Sequence, residues 1–202
     1  TREAAYNSIL LRDRREFHKR VGETVEEMFK DRLEEQSHLL AHHFYEAGET
    51  QRALKYSIMA GERALSTYAH EEAQAHFQRG LDAKGSQPLD SEGAAMCFGL
   101  GRAQGSTGRH HDAWQTLTRA FDYFEDAGDV AMAVAVAEYP LLFVAGLEGA
   151  TGMVERALML VEPDSHEAGR LLSRNGLLVN LETGDHNLAK GFFDRALVIA
   201  ER

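Results

Sequence analysis

The chain has 202 residues, 44% of them hydrophobic and only three of them proline, which is enough to bury a sizeable core in one or two domains. Its formal net charge of −10 excludes an extended phosphate-binding surface, because such a surface needs an excess of Lys and Arg. The single cysteine, Cys97, excludes an internal disulfide and any multi-cysteine zinc site; set among Ala95, Met96 and Phe98, it reads as a small buried hydrophobe.

Alanine, leucine, glutamate and arginine dominate, and these side chains lose least on entering a helix. Glycine-centred breaks divide the chain into about ten helical stretches, at 2–29, 31–47, 50–66, 70–84, 90–107, 110–126, 129–147, 150–162, 165–183 and 186–202. The first stretch carries Arg12, Arg14, Arg15, Lys19 and Arg20. Asp13 and Glu16 interleave them, so the run reads as a solvated face. Gly48, Gly108, Gly128 and Gly184 fall just past helix ends, where a left-handed residue is cheapest as glycine. Pro140 lies inside the seventh stretch and should kink or break it. The connections are short, which predicts antiparallel neighbours. No stretch has the apolar length to cross a bilayer and the N-terminus has no signal-peptide core, so the expected compartment is the cytoplasm. The chain begins at Thr1 without an initiator methionine and runs to Arg202 inside a helical pattern, so we expect it to be part of something larger.

The strongest pattern is self-similarity. Ala53, Ala73, Ala113 and Ala189 serve as anchors. Seven residues after them come Ala60, Gly80, Ala120 and Ala196, and four after the last three come Phe77, Leu117 and Phe193. Gly48, Gly108 and Gly184 stand five residues before three of the anchors. Small residues let helices approach, a large residue one turn on fills the groove left between them, and the glycine allows the tight turn. A helix pair built this way cannot hide its apolar face alone, so pairs must stack.

This grammar resembles the tetratricopeptide repeat. Residues 94–127 match best, 170–202 nearly as well and 54–87 in part, whereas 129–162 is degenerate. The anchors stand 40 residues apart from Ala73 to Ala113 and 76 apart from Ala113 to Ala189, not at multiples of the family's period of about 34. The resemblance therefore implies an all-α, tetratricopeptide-like solenoid of about ten antiparallel helices with an irregular superhelix.

A second resemblance covers residues 1–85. Tyr6, the run Leu11 to Val21, and Leu40-Ala41-His42-His43-Phe44-Tyr45-Glu46-Ala47-Gly48 look like a junction in large bacterial signalling proteins. Ala53-Leu54-Lys55-Tyr56 and Ala60-Gly61-Glu62-Arg63-Ala64 extend the likeness. In LuxR-type regulators of the maltose-activator sort, and in class III adenylate or guanylate cyclases, such a stretch follows an ATPase module and opens a helical sensor arm. The resemblance implies a linker helix at 1–30 after an upstream domain and a repeat domain at 31–202, with attached ATPase and output domains as partners.

Ten histidines invite a metal hypothesis. His38, His42 and Glu46 share one helix face at i, i+4, i+8, but a dedicated site wants further ligands and second-shell support. His42-His43 is instead expected in the packing of the leading helices, and His110-His111 in an exposed turn. No nucleophile elbow or phosphate loop occurs, and Gly99-Leu100-Gly101 lies inside a helical repeat. We therefore expect no catalysis, metal or cofactor.

The inner face of such an array is the expected binding surface for a protein or peptide. Its groove-facing positions project to Ile58, Glu62, Phe98, Arg102, Glu138, Arg174 and Leu178, an alternation of acid, base and apolar groups suited to a peptide or helix of registered charge. Helix parity places 31–47 outside this face, while its Gly48/Ala53 signature places it inside; the sequence leaves both open. Two alternatives stand beside this reading. One is a homodimer through the last helix, Phe192-Phe193 to Ile199; the other is a small-molecule sensor with an apolar pocket near Trp114, Phe121 and Phe124.

Overall fold

The computed structural model describes residues 10–141 and 149–202. Every regular element among them is an α-helix, and no strand occurs among the described residues. In chain order they are α1 (Leu11–Met28), α2 (Ser37–Ala47), α3 (Thr50–Ser66), α4 (His70–Lys84), α5 (Ser91–Ser106), α6 (His110–Asp126), α7 (Val130–Glu138), α8 (Ala150–Leu158), α9 (His166–Thr183) and α10 (His186–Ala200). The chain is all-α, as its composition predicts.

Three helices, α3, α4 and α6, occupy the stretches read from the sequence. Helix α2 starts later than expected, because residues 29–36 form successive short turns, among them Arg32 N–H to Phe29 C=O and Glu35 N–H to Arg32 C=O. Helix α7 stops at Glu138; Tyr139, held in the extended region (φ −58°, ψ 123°), is the residue that Pro140 bars from helical geometry. Tyr6, the rest of 2–9, and the part of the seventh stretch at 142–147 lie outside the described residues.

One turn recurs along the chain. Glu49 N–H bonds Phe44 C=O, Ala69 bonds Ala64, Arg109 bonds Gln104, and Asp129 bonds Phe124. This is the Schellman closure, which needs a left-handed residue just before the bonding N–H. Gly48 (φ 76°), Gly108 (φ 80°) and Gly128 (φ 71°) fill that slot, as expected, and Gly184 (φ 69°) closes α9 in the same hand. In the fourth Schellman turn the slot holds Tyr68 at φ 60°, the one non-glycine with positive φ among the described residues. The turn follows both α2 and α3, so it marks helix ends of either parity and does not decide which helix is inner.

The chain divides into two compact units between Ala103 and Gln104. In the first, α1, α2, α3 and α4 pack in succession, each against the next. Leu40, Ala41, Phe44, Ala53 and Tyr56 form one core cluster, and Leu54, Ala73, Phe77, Met96 and Leu100 belong to the next. Phe77 explains the small residues around it. A Cβ at Gly61 would stand 2.5 Å from its ring, and one at Gly99 closer still, so the ring of α4 is accommodated only because α3 and α5 each offer glycine. Gly22 of α1 receives Phe44 of α2 in the same way, its absent Cβ 2.9 Å from the ring. Helix α1 thus belongs to the first unit, and the expected boundary at 30/31 falls inside that unit.

In the second unit α9 packs on α8, on α7 and most extensively on α10. Arg156 of α8 ties itself to α6: it pairs with Glu125, bonds Asp122 at 2.8 Å, and lies 4.8 Å over the Phe121 ring. Between α9 and α10, Gly169 faces Ile199 and Gly176 faces Phe193. Asp129, Ser165 and Asp185 cap their helices by accepting from Met132, Ala168 and Leu188 N–H.

Candidate functional site

Four of the expected groove residues come together in the first unit. Glu62 on α3 accepts from Arg102 on α5 at 2.9 and 3.1 Å, and the Arg102 guanidinium lies 5.4 Å over the Phe98 ring. Ile58, one turn before Glu62, is half-buried against the cluster that holds Leu54 and Phe77. The result is a half-exposed aromatic under a cation that an acid already neutralises. An exposed pair of this kind adds less than about 1 kcal/mol to folding, so a partner's own charges can replace it at little cost.

The second unit treats its expected residues differently. Glu138 accepts from Arg170 at 2.9 Å and remains partly exposed. Arg174 turns inward and donates to the Tyr139 carbonyl at 3.1 Å and to the Leu141 carbonyl at 3.4 Å. Burial holds its pKa below the usual arginine value. It braces the chain on both sides of Pro140, where carbonyls leaving a helix need donors. Leu178 is only 8% exposed and packs inward. Arg174 and Leu178 therefore differ from the groove-lining role expected of them: one is a strut and the other is core.

The apolar space beside Trp114 is small. A void of about 20 Å³ lies among Trp114, Leu117, Val136, Met153 and Leu178, room for about one water, and Phe121 and Phe124 are fully buried in the core. Helix α10, by contrast, keeps Leu188, Phe193, Leu197 and Val198 exposed, and Phe193, Ala196 and Leu197 border an open apolar hollow of about 570 Å³ against Gly169 and Arg170 of α9.

The histidines regroup relative to the sequence pattern. His38 lines an opening with Glu72 and His76, away from the set in which the i, i+4, i+8 spacing placed it. His42 instead meets His43 and His18 of α1, with His18 Nδ1 and His43 Nδ1 2.9 Å apart. Among the described residues this is the one cluster of three groups able to hold a metal ion. His18 was missed because it lies 25 residues from its partner, beyond any single-helix periodicity. His110 and His111 open α6 and do not sit in a loop; His111 Nε2 bonds the Gln115 side chain at 3.1 Å.

No protein-family model matches the chain, and no curated protein matches it. Among the described residues no helix is long and apolar enough to cross a membrane.

Proposed function

We propose that the chain is a tetratricopeptide-like binding module that acts on other protein surfaces and performs no chemistry of its own. The observation that carries this reading is the face formed by Ile58, Glu62, Phe98 and Arg102, where two helices separated by α4 present an aromatic and a bridged acid–base pair side by side. Such a face suits a peptide or helix with a charged residue beside an apolar anchor. The acidic balance of the chain disfavours nucleic acid as the occupant.

In its setting we read the module as the regulatory, cytoplasmic arm of a multidomain signalling ATPase of the LuxR-type or class III cyclase sort. The solenoid would prefer one curvature when a partner is bound, and that preference would bias the attached ATPase and output domains. The test is charge reversal in the parent protein. Arg102→Glu should abolish partner-dependent regulation, and Glu62→Arg combined with Arg102→Glu, which restores the internal pair with opposite polarity, should not rescue it. Regulation untouched by either change would place the binding surface elsewhere.

A second reading, self-association through α10, has its own support in the exposed Leu188, Phe193, Leu197 and Val198. Light scattering separates the two. A dimer that Leu197→Glu dissociates favours self-association, and a monomer at high concentration favours partner binding alone.

A further inference from the structure

We infer that His18, His42 and His43 form a site for a divalent transition-metal ion of the zinc class, bridging α1 and α2.

The three rings make a nearly regular triangle. Their centroids are 5.5 Å apart for His18 and His42, 5.1 Å for His18 and His43, and 5.2 Å for His42 and His43. One donor nitrogen from each ring lies within 4.8 Å of the others. Zinc–imidazole bonds of about 2.0–2.1 Å in a tetrahedron put ligand nitrogens about 3.3 Å apart. The 2.9 Å separation of His18 Nδ1 and His43 Nδ1 is already close to that spacing, and the exposed His42 has the freedom to supply the third edge.

The architecture supplies what one helix cannot. Consecutive residues on a helix project about 100° apart, so His42 and His43 diverge unless a ligand from another element stands between them. His18 does so, from α1. Three imidazoles with a water in the remaining position suit zinc, cobalt, nickel or copper and give little purchase to calcium or magnesium, which prefer all-oxygen shells.

An ion here would act as a clasp. The one buried residue of α1 is Gly22, and several of its links to α2 and α3 are surface pairs such as Lys19–Glu49 at 2.8 Å and Glu23–Arg52 at 3.2 Å. A metal held by both α1 and α2 would fix the first helix to the rest of its unit.

The experiment is calorimetric titration of the chain with zinc chloride, repeated with cobalt to read coordination from its visible absorption. One tight equivalent is expected, with cobalt bands of a four-coordinate nitrogen-rich site and a zinc-dependent rise in Tm. His18→Ala and His43→Ala should each weaken that equivalent at least tenfold and remove the rise. The exposed His42→Gln should do the same while leaving the helical circular dichroism intact, which covers the case in which His18→Ala disturbs packing. A double change of His110→Ala and His111→Ala should leave the tight equivalent in place. Absence of a tight equivalent in the unaltered chain, or equal affinity in His42→Gln, overturns the site.

Discussion

Phe77 and Phe193 occupy the same place in the repeat, four residues after the buried alanines Ala73 and Ala189, yet their surroundings differ. Phe77 is fully buried, with glycine on both sides at Gly61 and Gly99; Phe193 has Gly176 on one side and keeps 37% of its surface in solvent. The ring is thus sealed where α3 and α5 both meet it and partly solvated where α9 and α10 pack against each other. In the second unit Leu188, Phe193, Leu197 and Val198 of α10 are exposed, as are Val130, Met159 and Leu181 on other segments.

That contrast can be broken by substitution, and the largest effect should come from the ring itself. Phe77→Ala empties a closed slot and should cost about 3–5 kcal/mol, whereas Phe193→Ala removes a partly solvated ring and should cost about 1–2 kcal/mol. Urea unfolding of the two variants measures the difference, and equal losses would contradict the sealed-versus-open distinction. Next in size is overpacking. Gly99→Ala forces a methyl into the Phe77 ring and should destabilise by about 1–3 kcal/mol. Gly191→Ala on α10, with nothing within 4 Å of its absent Cβ, should stabilise by about 0.5–1 kcal/mol through helix propensity.

The turn series sharpens the comparison further. Tyr68 is 82% exposed and sits in the slot that glycine fills in the three sister turns. Tyr68→Gly should therefore raise stability by about 1 kcal/mol, seen as a higher Tm, while Gly48→Tyr should lower it. The smallest effect concerns pH. Buried His76 has its pKa below the ordinary 6.5, chiefly through desolvation, with Glu72 at 3.5 Å opposing the shift. The unfolded chain then binds the proton more readily, so this contribution to stability is complete above pH 6.5 and is lost as pH falls through the lower folded value. His76→Gln should flatten the acid limb of the stability–pH curve in that window, and an unchanged slope would remove His76 as its cause.

Much of the fold was legible because its signals are local. Gly48, Gly108, Gly128 and Gly184 announce left-handed turns by chemistry alone, and the anchors Ala53, Ala73, Ala113 and Ala189 are all buried. Tyr68 was legible only in the period: it stands five residues before Ala73, where the other anchors have glycine, and nothing in tyrosine itself suggests positive φ. The positions projected for a groove separate in the structure. Glu62, Phe98 and Arg102 lie together, with Arg102 bonded to Glu62 over the Phe98 ring. Arg174 and Leu178 do not line such a face, because the Pro140 break leaves carbonyls that draw Arg174 inward, an effect of tertiary structure that helix periodicity cannot carry. The meeting of His18 with His42 and His43 depends on how α1 pairs with α2, again beyond single-helix spacing.

The proposed docking of another protein surface on the α3–α5 face is open to direct test. The most direct measurement is site-specific photocrosslinking in the parent protein, with the photoreactive residue placed at Ile58 or Phe98 and, as a control, at the exposed Gln78 of α4. Protein adducts are expected from Ile58 and Phe98, eliminated by Arg102→Glu and not given by Gln78. Equal adducts from all three positions, or adducts from Phe98 that persist in Arg102→Glu, would contradict it.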